Sequence, residues 1–270
     1  MSMKRIACQT YTWEMLGDGW QGKVNDILDW IADADYDGIE ITNNMIGEFY
    51  DRPEDFANEL SKRDLELAAF AYSSVTGFTD GNSWDSDLAG AIKAIKFVSH
   101  FPDPRLGLGG AANTSRENSK EKLDQAIKLY NEVGIKASEF GVSVNVHPHS
   151  HYGSLLESSE EYHYLLDHLN PAYVSFGPDT GHIVRSGQDL LACIRTHLPR
   201  IAHLHLKDAT TNGEWVALGE GICDFSSVME LLDSVDYDGW LVAEEESGDA
   251  ARDGVAAIRK NRAYLRSIWC

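Results

Sequence analysis

The stretch "YVSFGPDTGHIVRSG" runs from Tyr173 to Gly187. Its apolar start stops at Phe176, a Gly-Pro pair follows, and Asp179 and His182 then stand three residues apart before apolar character resumes at Ile183 and Val184. A short apolar run ended by Gly-Pro and followed by a helical pattern reads as a strand feeding a helix. An acid and an imidazole at such a junction sit where parallel sheets open their strand ends.

The same grammar repeats on both sides. Candidate strands are "RIACQTYTW" (5–13), "GIEIT" (38–42), "LELAAFAYSS" (65–74), "RLGLGG" (105–110), "VSVNVHPH" (142–149), "YVSFGPD" (173–179), "IAHLHLKD" (201–208) and "GWLVAEEES" (239–247). Several are nearly continuous in apolar character, as strands covered on both faces are. Amphipathic segments lie between them. "KVNDILDWIADADY" places Val24, Ile27, Leu28 and Ile31 on one stripe, and residues 119–141 form the longest such segment, with Ser119 as a cap candidate and Gly141 as its end. Eight strand–helix units with right-handed crossovers predict an α/β fold, a closed (β/α)8 TIM barrel spanning residues 1–270 as a single domain. The rival, an open doubly wound sheet, usually shows G-x-G-x-x-G after its first strand; here the turn reads "QTYTWEMLGDG".

The balance of 23 basic against 43 acidic residues gives a net charge of −20. Such a surface repels phosphate backbones and anionic lipid, which argues against nucleic acid and membranes as partners. The four cysteines, Cys8, Cys193, Cys223 and Cys270, have no paired spacing and read as reduced thiols. No apolar leader opens the chain and no apolar run approaches the length of a membrane span, so a soluble, cytoplasmic protein is expected.

In a parallel barrel all strand carboxyl ends share one face, which carries the site. Strand ends here supply Trp13, Glu40, Tyr72, His147, His149, His151, Asp179, His182, His203, His205, Lys207, Asp208, Glu244, Glu245 and Glu246. Six of the ten histidines fall in that set, more than scattered surface histidines would. Strand alternation puts His203, His205 and Lys207 on one side of their strand, and Glu244 and Glu246 on one side of the last. Buried carboxylates are costly unless paired or metal-bound, so these acids call for a cation. Asp179, His205 and Glu244 offer oxygen and nitrogen ligands from three successive strands, a mixture suited to Mn²⁺, Mg²⁺, Co²⁺ or Zn²⁺. The competing reading of His203 is a core histidine bonded to a backbone carbonyl.

The motifs "GPDTGH", "HLHLKD" and "GWLVAEEES", in this order, resemble the sugar phosphate isomerase/epimerase family of xylose isomerase-like barrels, and "VHPHSHYGSLLES" resembles the histidine-rich loop of its inosose dehydratase branch. By position, the resemblance puts metal ligands on Asp179, His205 and Glu244. Ketose epimerases carry a glutamate at the end of the fifth strand, where this chain reads "VNVHPH"; in the histidine-rich branch a later acid can serve, and the resemblance puts the fourth ligand on Glu157, with His147 as the alternative. His182 matches a substrate-contacting histidine and Lys207 the polar residue after the metal histidine.

The resemblance implies a metal-dependent enzyme, most naturally with Mn²⁺, that removes a proton next to the carbonyl of a keto-sugar or keto-polyol through an enediolate. An isomerase or epimerase is the first expectation and an inosose-type dehydratase, a lyase, the alternative. Glu157, Glu244, Glu246, Lys207 and His182 are the catalytic candidates. Trp13, Tyr72, His147, His149, His182 and Lys207 are the substrate-binding ones. A homo-oligomer is compatible with the family. Apurinic endonucleases on a related barrel also gather histidines and acids, but the net charge of −20 opposes DNA binding. A non-catalytic sugar-binding barrel is the remaining alternative.

Overall fold

The structure is a computed structural model and describes residues 4–150 and 153–268. Ten strands are described: β1 Arg5–Gln9, β2 Gly38–Thr42, β3 Glu66–Tyr72, β4 Arg105–Gly109, β5 Ser143–His147, β6 Val174–Phe176, β7 His203–Leu206, β8 Asp208–Ala209, β9 Trp215–Val216 and β10 Trp240–Ala243. Eight of them form one parallel sheet in the order β6-β5-β4-β3-β2-β1-β10-β7. The last gap, between β6 and β7, is closed by the parallel bridges Phe176↔Ile201 and Asp179↔His205. The expected (β/α)8 barrel is therefore the fold.

Eleven helices are described: α1 Tyr11–Glu14, α2 Val24–Asp33, α3 Pro53–Ser61, α4 Trp84–Val98, α5 Ser119–Ser138, α6 Ser159–His168, α7 Thr180–Arg185, α8 Leu190–His197, α9 Phe225–Asp233, α10 Gly248–Arg252 and α11 Gly254–Ile268. Ser119 is the first helical residue of α5 rather than its cap, a position taken by Asn118 in a left-handed conformation. Helix α6 opens with a capping box, Ser158 and Glu161 each satisfying the other's orphan amide.

Alternation along each strand sorts residues between two environments. Outward residues such as Ile39, Ile41, Phe70, Leu106, Leu108, Val144 and Val146 join the apolar shell under the helices. Inward residues at the bottom form a separate plug of Ala7, Ala68, Trp240 and Val242. Trp240 explains Gly38: a Cβ there would come within 2.8 Å of the indole and 2.7 Å of the Glu66 carbonyl oxygen. Arg5 closes the bottom with its guanidinium 4.6 Å from the Trp240 ring centroid. Above the plug the interior turns polar, and there the candidate site begins.

Candidate active site

Four buried side chains meet at the carboxyl ends of adjacent strands. His147 ends β5, Asp179 follows β6, His205 lies in β7 and Glu244 follows β10, and one ligand atom from each lies within 4.8 Å of the others. The inward parity of each strand delivers them: Asp179 bridges directly to His205, and Val242, two residues before Glu244, pairs with His205 across β10 and β7. Asp179 has no exposed surface. Its Oδ1 accepts the His182 amide at 2.8 Å as the N-cap of α7, while its Oδ2 is buried without a partner. Burial, then the neighbouring Glu244, pushes its carboxyl up to about 7.

The donor set fits a divalent cation. Two carboxylates and two imidazoles are borderline-hard ligands of the kind Mn²⁺, Co²⁺ and Zn²⁺ take. The orphaned Asp179 Oδ2 is an anionic acceptor lacking what a cation supplies. Each imidazole is also held from outside the cluster, as metal-binding histidines usually are. His147 Nδ1 bonds the Gly177 carbonyl at 3.0 Å, leaving Nε2 on the cluster side, 4.0 Å from Glu244 Oε2. His205 Nδ1 lies 2.5 Å from Glu244 Oε2, and its Nε2 faces Glu40. Burial and the nearby His205 bring the His147 pKa down to about 3, which keeps it a neutral, ligand-competent ring.

Above this cluster opens a cavity of 460 Å³, a volume typical of small-molecule sites. Lys207, one alternation beyond His205, is fully enclosed; its Nζ lies 3.0 Å from Glu244 Oε1 and also pairs with Glu246. Burial pushes the Glu246 carboxyl up to about 7. His182 accepts the Ser150 amide on Nδ1 at 2.7 Å, so the neutral ring carries its proton on Nε2. Burial and the adjacent Lys207 hold its pKa well below the ordinary imidazole value. Trp215 closes one side, between Arg185 at 4.6 Å and Lys207 at 4.1 Å from its ring centroid. Opposite stands a polar rim, where Glu14 accepts from Thr42 at 2.5 Å and from Asn44 at 2.7 Å.

A family model for the xylose isomerase-like TIM barrel matches residues 28–268. The chain belongs to this family. Its relatives include the inosose dehydratase of Geobacillus thermodenitrificans (strain NG80-2), 34% identical over 55% of this chain and 55% of that protein. The inosose dehydratase of Lactiplantibacillus plantarum (strain ATCC BAA-793 / NCIMB 8826 / WCFS1) is 27% identical over 94% of this chain and 95% of that protein. The match thus spans about half the length of the first relative and nearly all of the second. Among solved structures, the IolI protein with a bound zinc atom superposes with a TM-score of 0.83 at 13% identity, over 98% of this chain and 97% of that one, and shows the shared barrel.

For a xylose isomerase-like barrel the residue placements are informative. The structure gathers Asp179, His205 and Glu244 with His147, and it does not bring Glu157 to them. Glu157 lies at the surface end of the loop before α6, with its carboxylate 3.5 Å from Arg116. His149 and His182 line the cavity, their rings 5.1 Å apart. His151 lies outside the described residues. Trp13 is a correction: it falls in α1, stacks on Trp30 at 5.7 Å and does not line the cavity, whereas its neighbour Tyr11 does. Tyr72 is another. It shares the outward parity of Phe70, and its hydroxyl packs where a side chain on Gly90 of α4 would go. His203 bonds the Glu40 carboxylate at 2.5 Å rather than a carbonyl. Asp208 accepts the Gly219, Gly221 and Cys223 amides, and Glu245 accepts from Asn261, so both hold loops. Sequence reasoning missed Trp215, Arg185, Glu14, Asn44 and Asn145. The "TTNGEW" turn was the available signal for Trp215, because Asn-Gly between short extended segments marks a hairpin.

Proposed function

We propose that this protein is a divalent-metal-dependent enzyme of keto-polyol or keto-sugar metabolism that removes a proton next to a ketone and expels the hydroxyl beyond it, an inosose-type dehydration. The observation that carries the reading is the convergence of His147, Asp179, His205 and Glu244 within 4.8 Å beneath an open cavity. The names of the relatives, inosose dehydratases at 27% and 34% identity, support the dehydration outcome.

These four residues would hold the cation, with Mn²⁺ the first candidate and Co²⁺, Zn²⁺ and Mg²⁺ as alternatives. Bound there, the cation supplies Lewis-acid polarisation of a ketone oxygen, which acidifies the neighbouring C–H. Glu244 would be committed to the cation, and its Oε1 accepts from Lys207, so the proton-transfer role is assigned to another acid. Glu246, two residues on and in the cavity wall, is the base. A carboxyl raised to about 7 is matched to proton transfer near neutral pH.

Glu246 takes the proton from the carbon, and the departing β-hydroxyl takes that proton from Glu246 and leaves as water. The C–H and C–O bonds break, a C=C bond forms, and the enol product relaxes to a 1,2-diketone. Lys207, kept charged by Glu244 and Glu246, steadies the carboxylate between the two transfers. The Nε2–H of neutral His182 donates to a substrate oxygen. Trp215 covers the apolar ring face, and Glu14, Asn43, Asn44 and Thr42 meet the remaining hydroxyls.

The second reading follows if Glu246 returns the proton to carbon, which makes the same site an isomerase or epimerase. Incubating metal-loaded protein with an inosose in deuterated water separates the outcomes. Ultraviolet absorbance of a diketone is expected. Deuterium in recovered ketose without diketone would favour isomerisation, and neither signal with any inosose or ketose would remove both.

A further inference from the structure

Beneath the four-donor cluster a second group of titratable side chains fills the next layer: Glu40, His203 and His205. Glu40, on β2, reaches across the barrel axis and is 3% exposed. Its Oε2 lies 2.5 Å from His203 Nε2 and 3.2 Å from His205 Nε2, and its Oε1 lies 3.1 Å from the same His205 nitrogen. Gln9 on β1 donates its amide to Oε1, and Gln9 is itself fixed because its own oxygen accepts the Thr10 amide at 2.6 Å. Both Glu40 oxygens are thus engaged by side chains from β1 and β7. His203 Nδ1 is buried without a partner, but the carboxylate itself is fully engaged, and a second cation on Glu40 would have to displace the bonds from Gln9, His203 and His205, so the group reads as a support rather than a second centre.

The support acts on His205. One ring nitrogen, Nδ1, faces the donor cluster, and the other, Nε2, points down at Glu40. We propose that Glu40 is a positioning residue for the metal centre: it accepts the Nε2–H of His205 and so fixes the tautomer and ring orientation that present Nδ1 to the cation, while His203 and Gln9 lock Glu40 in place. This rests on reading the cluster as a metal centre. His147 has a parallel support in the Gly177 carbonyl. Glu40 differs in carrying charge, which raises the basicity of the nitrogen on the far side of the ring.

The test is calorimetric titration of metal-free protein with Mn²⁺ or Zn²⁺, wild type against Glu40→Gln. Glutamine keeps the volume and one acceptor but removes the charge. The expected result is a Kd weakened by about 10- to 100-fold, with the circular dichroism of the metal-free protein unchanged. A merely structural role would lower the melting temperature and leave the affinity of the folded protein alone, so a folded variant with Kd within twofold of wild type overturns the proposal. If Glu40→Gln fails to fold, histidine ¹⁵N NMR of zinc-loaded wild type decides: coordination through His205 Nδ1 with a proton retained on Nε2 is expected, and coordination through Nε2 overturns it. Wild type that binds no cation removes the metal-centre reading and this one with it, whereas wild-type binding unaltered by Glu40→Gln removes this one alone.

Discussion

The two sides of the barrel wall are made from alternate residues of the same strands and follow opposite chemistry. On the outside of β3, Phe70 packs 4.7 Å from Phe97 of α4, which in turn touches Phe101 at 5.2 Å, within a continuous apolar shell. On the inside, Gln9, Glu40, Asn145, His203, His205, Lys207 and Glu244 are just as deeply buried. Burial therefore does not distinguish the two regions; what the buried atoms require does. The shell is satisfied by contact alone, which is non-directional. The interior holds several ionisable groups in a water-poor space, a costly arrangement unless each finds a partner of matching geometry. The shell supplies stability that lets the interior be specified by chemistry.

The comparison is broken most decisively at Asp179. Asp179→Asn keeps an N-cap acceptor for α7, since asparagine caps as well as aspartate. The variant should fold with an unchanged or higher melting temperature without metal, because an unpaired buried carboxylate has been neutralised. It should lose bound metal and about 10³-fold or more in kcat/KM, the scale of several kcal/mol of transition-state stabilisation. Metal analysis by mass spectrometry alongside the rate checks both halves; retained metal and rate would return Asp179 to a purely structural role.

Glu246 gives a smaller effect with a pH signature. Its carboxyl, raised by burial from the ordinary 4.5 to about 7, must be ionised to act as a base, so kcat/KM should fall tenfold per unit below about pH 7 and level off above it. Glu246→Gln should remove that limb and cost about 10²-fold. The same shift acts on stability with the opposite sense. A carboxyl whose folded pKa is raised favours the folded state below its ordinary pKa, and this contribution is lost as pH rises through about 7. An acid limb that survives in Glu246→Gln would place the base elsewhere.

On the outer side, Phe70→Ala should cost about 3–5 kcal/mol of stability through a cavity beside Phe97 and Tyr50. Metal affinity at a temperature where the variant is folded should not change, since that ring belongs to the outer apolar shell. Denaturant unfolding and metal titration together measure the separation of the two regions; a weakened metal site would show that the wall transmits packing defects inward.

How much of this was legible in the chain follows from the same two-sidedness. The barrel was readable because most strands carry a regular apolar parity bounded by turn residues, broken at the register shift between β2 and β3, and the ligands at the ends of β6, β7 and β10 because the opposite parity turns charged there. Trp13 and Tyr72 misled for opposite reasons. Trp13 lies beyond the end of β1, inside α1, where strand parity no longer applies. Tyr72 lies within β3, where large Phe70 and Tyr72 alternate with small Ala69 and Ala71; the small residues face the narrow interior, and that size alternation marks the outward side. Trp215, in the β8–β9 hairpin, and Arg185, in α7, reach the cavity from elements outside the barrel sheet, so their placement depends on tertiary packing that strand parity does not report.

Glu157 sharpens the comparison at its weakest expected effect. The resemblance to the histidine-rich branch places a ligand there, because the end of β5 carries no acid of the ketose-epimerase kind; the structure instead presents His147 Nε2 at that place and leaves Glu157 37% exposed beside Arg116. The backbone contacts at this residue, its amide to Glu161 and its carbonyl to Gln188, do not involve the carboxylate and survive Glu157→Gln. What remains is one exposed ion pair, worth at most about 1 kcal/mol and commonly nothing measurable. Glu157→Gln should therefore leave metal content and kcat/KM within about twofold of wild type, while His147→Ala weakens metal binding strongly. The reverse order would mean that the chain between β5 and α6 swings the acid inward when the cation binds, and that the interior, unlike the shell, completes its geometry only with its ligand in place.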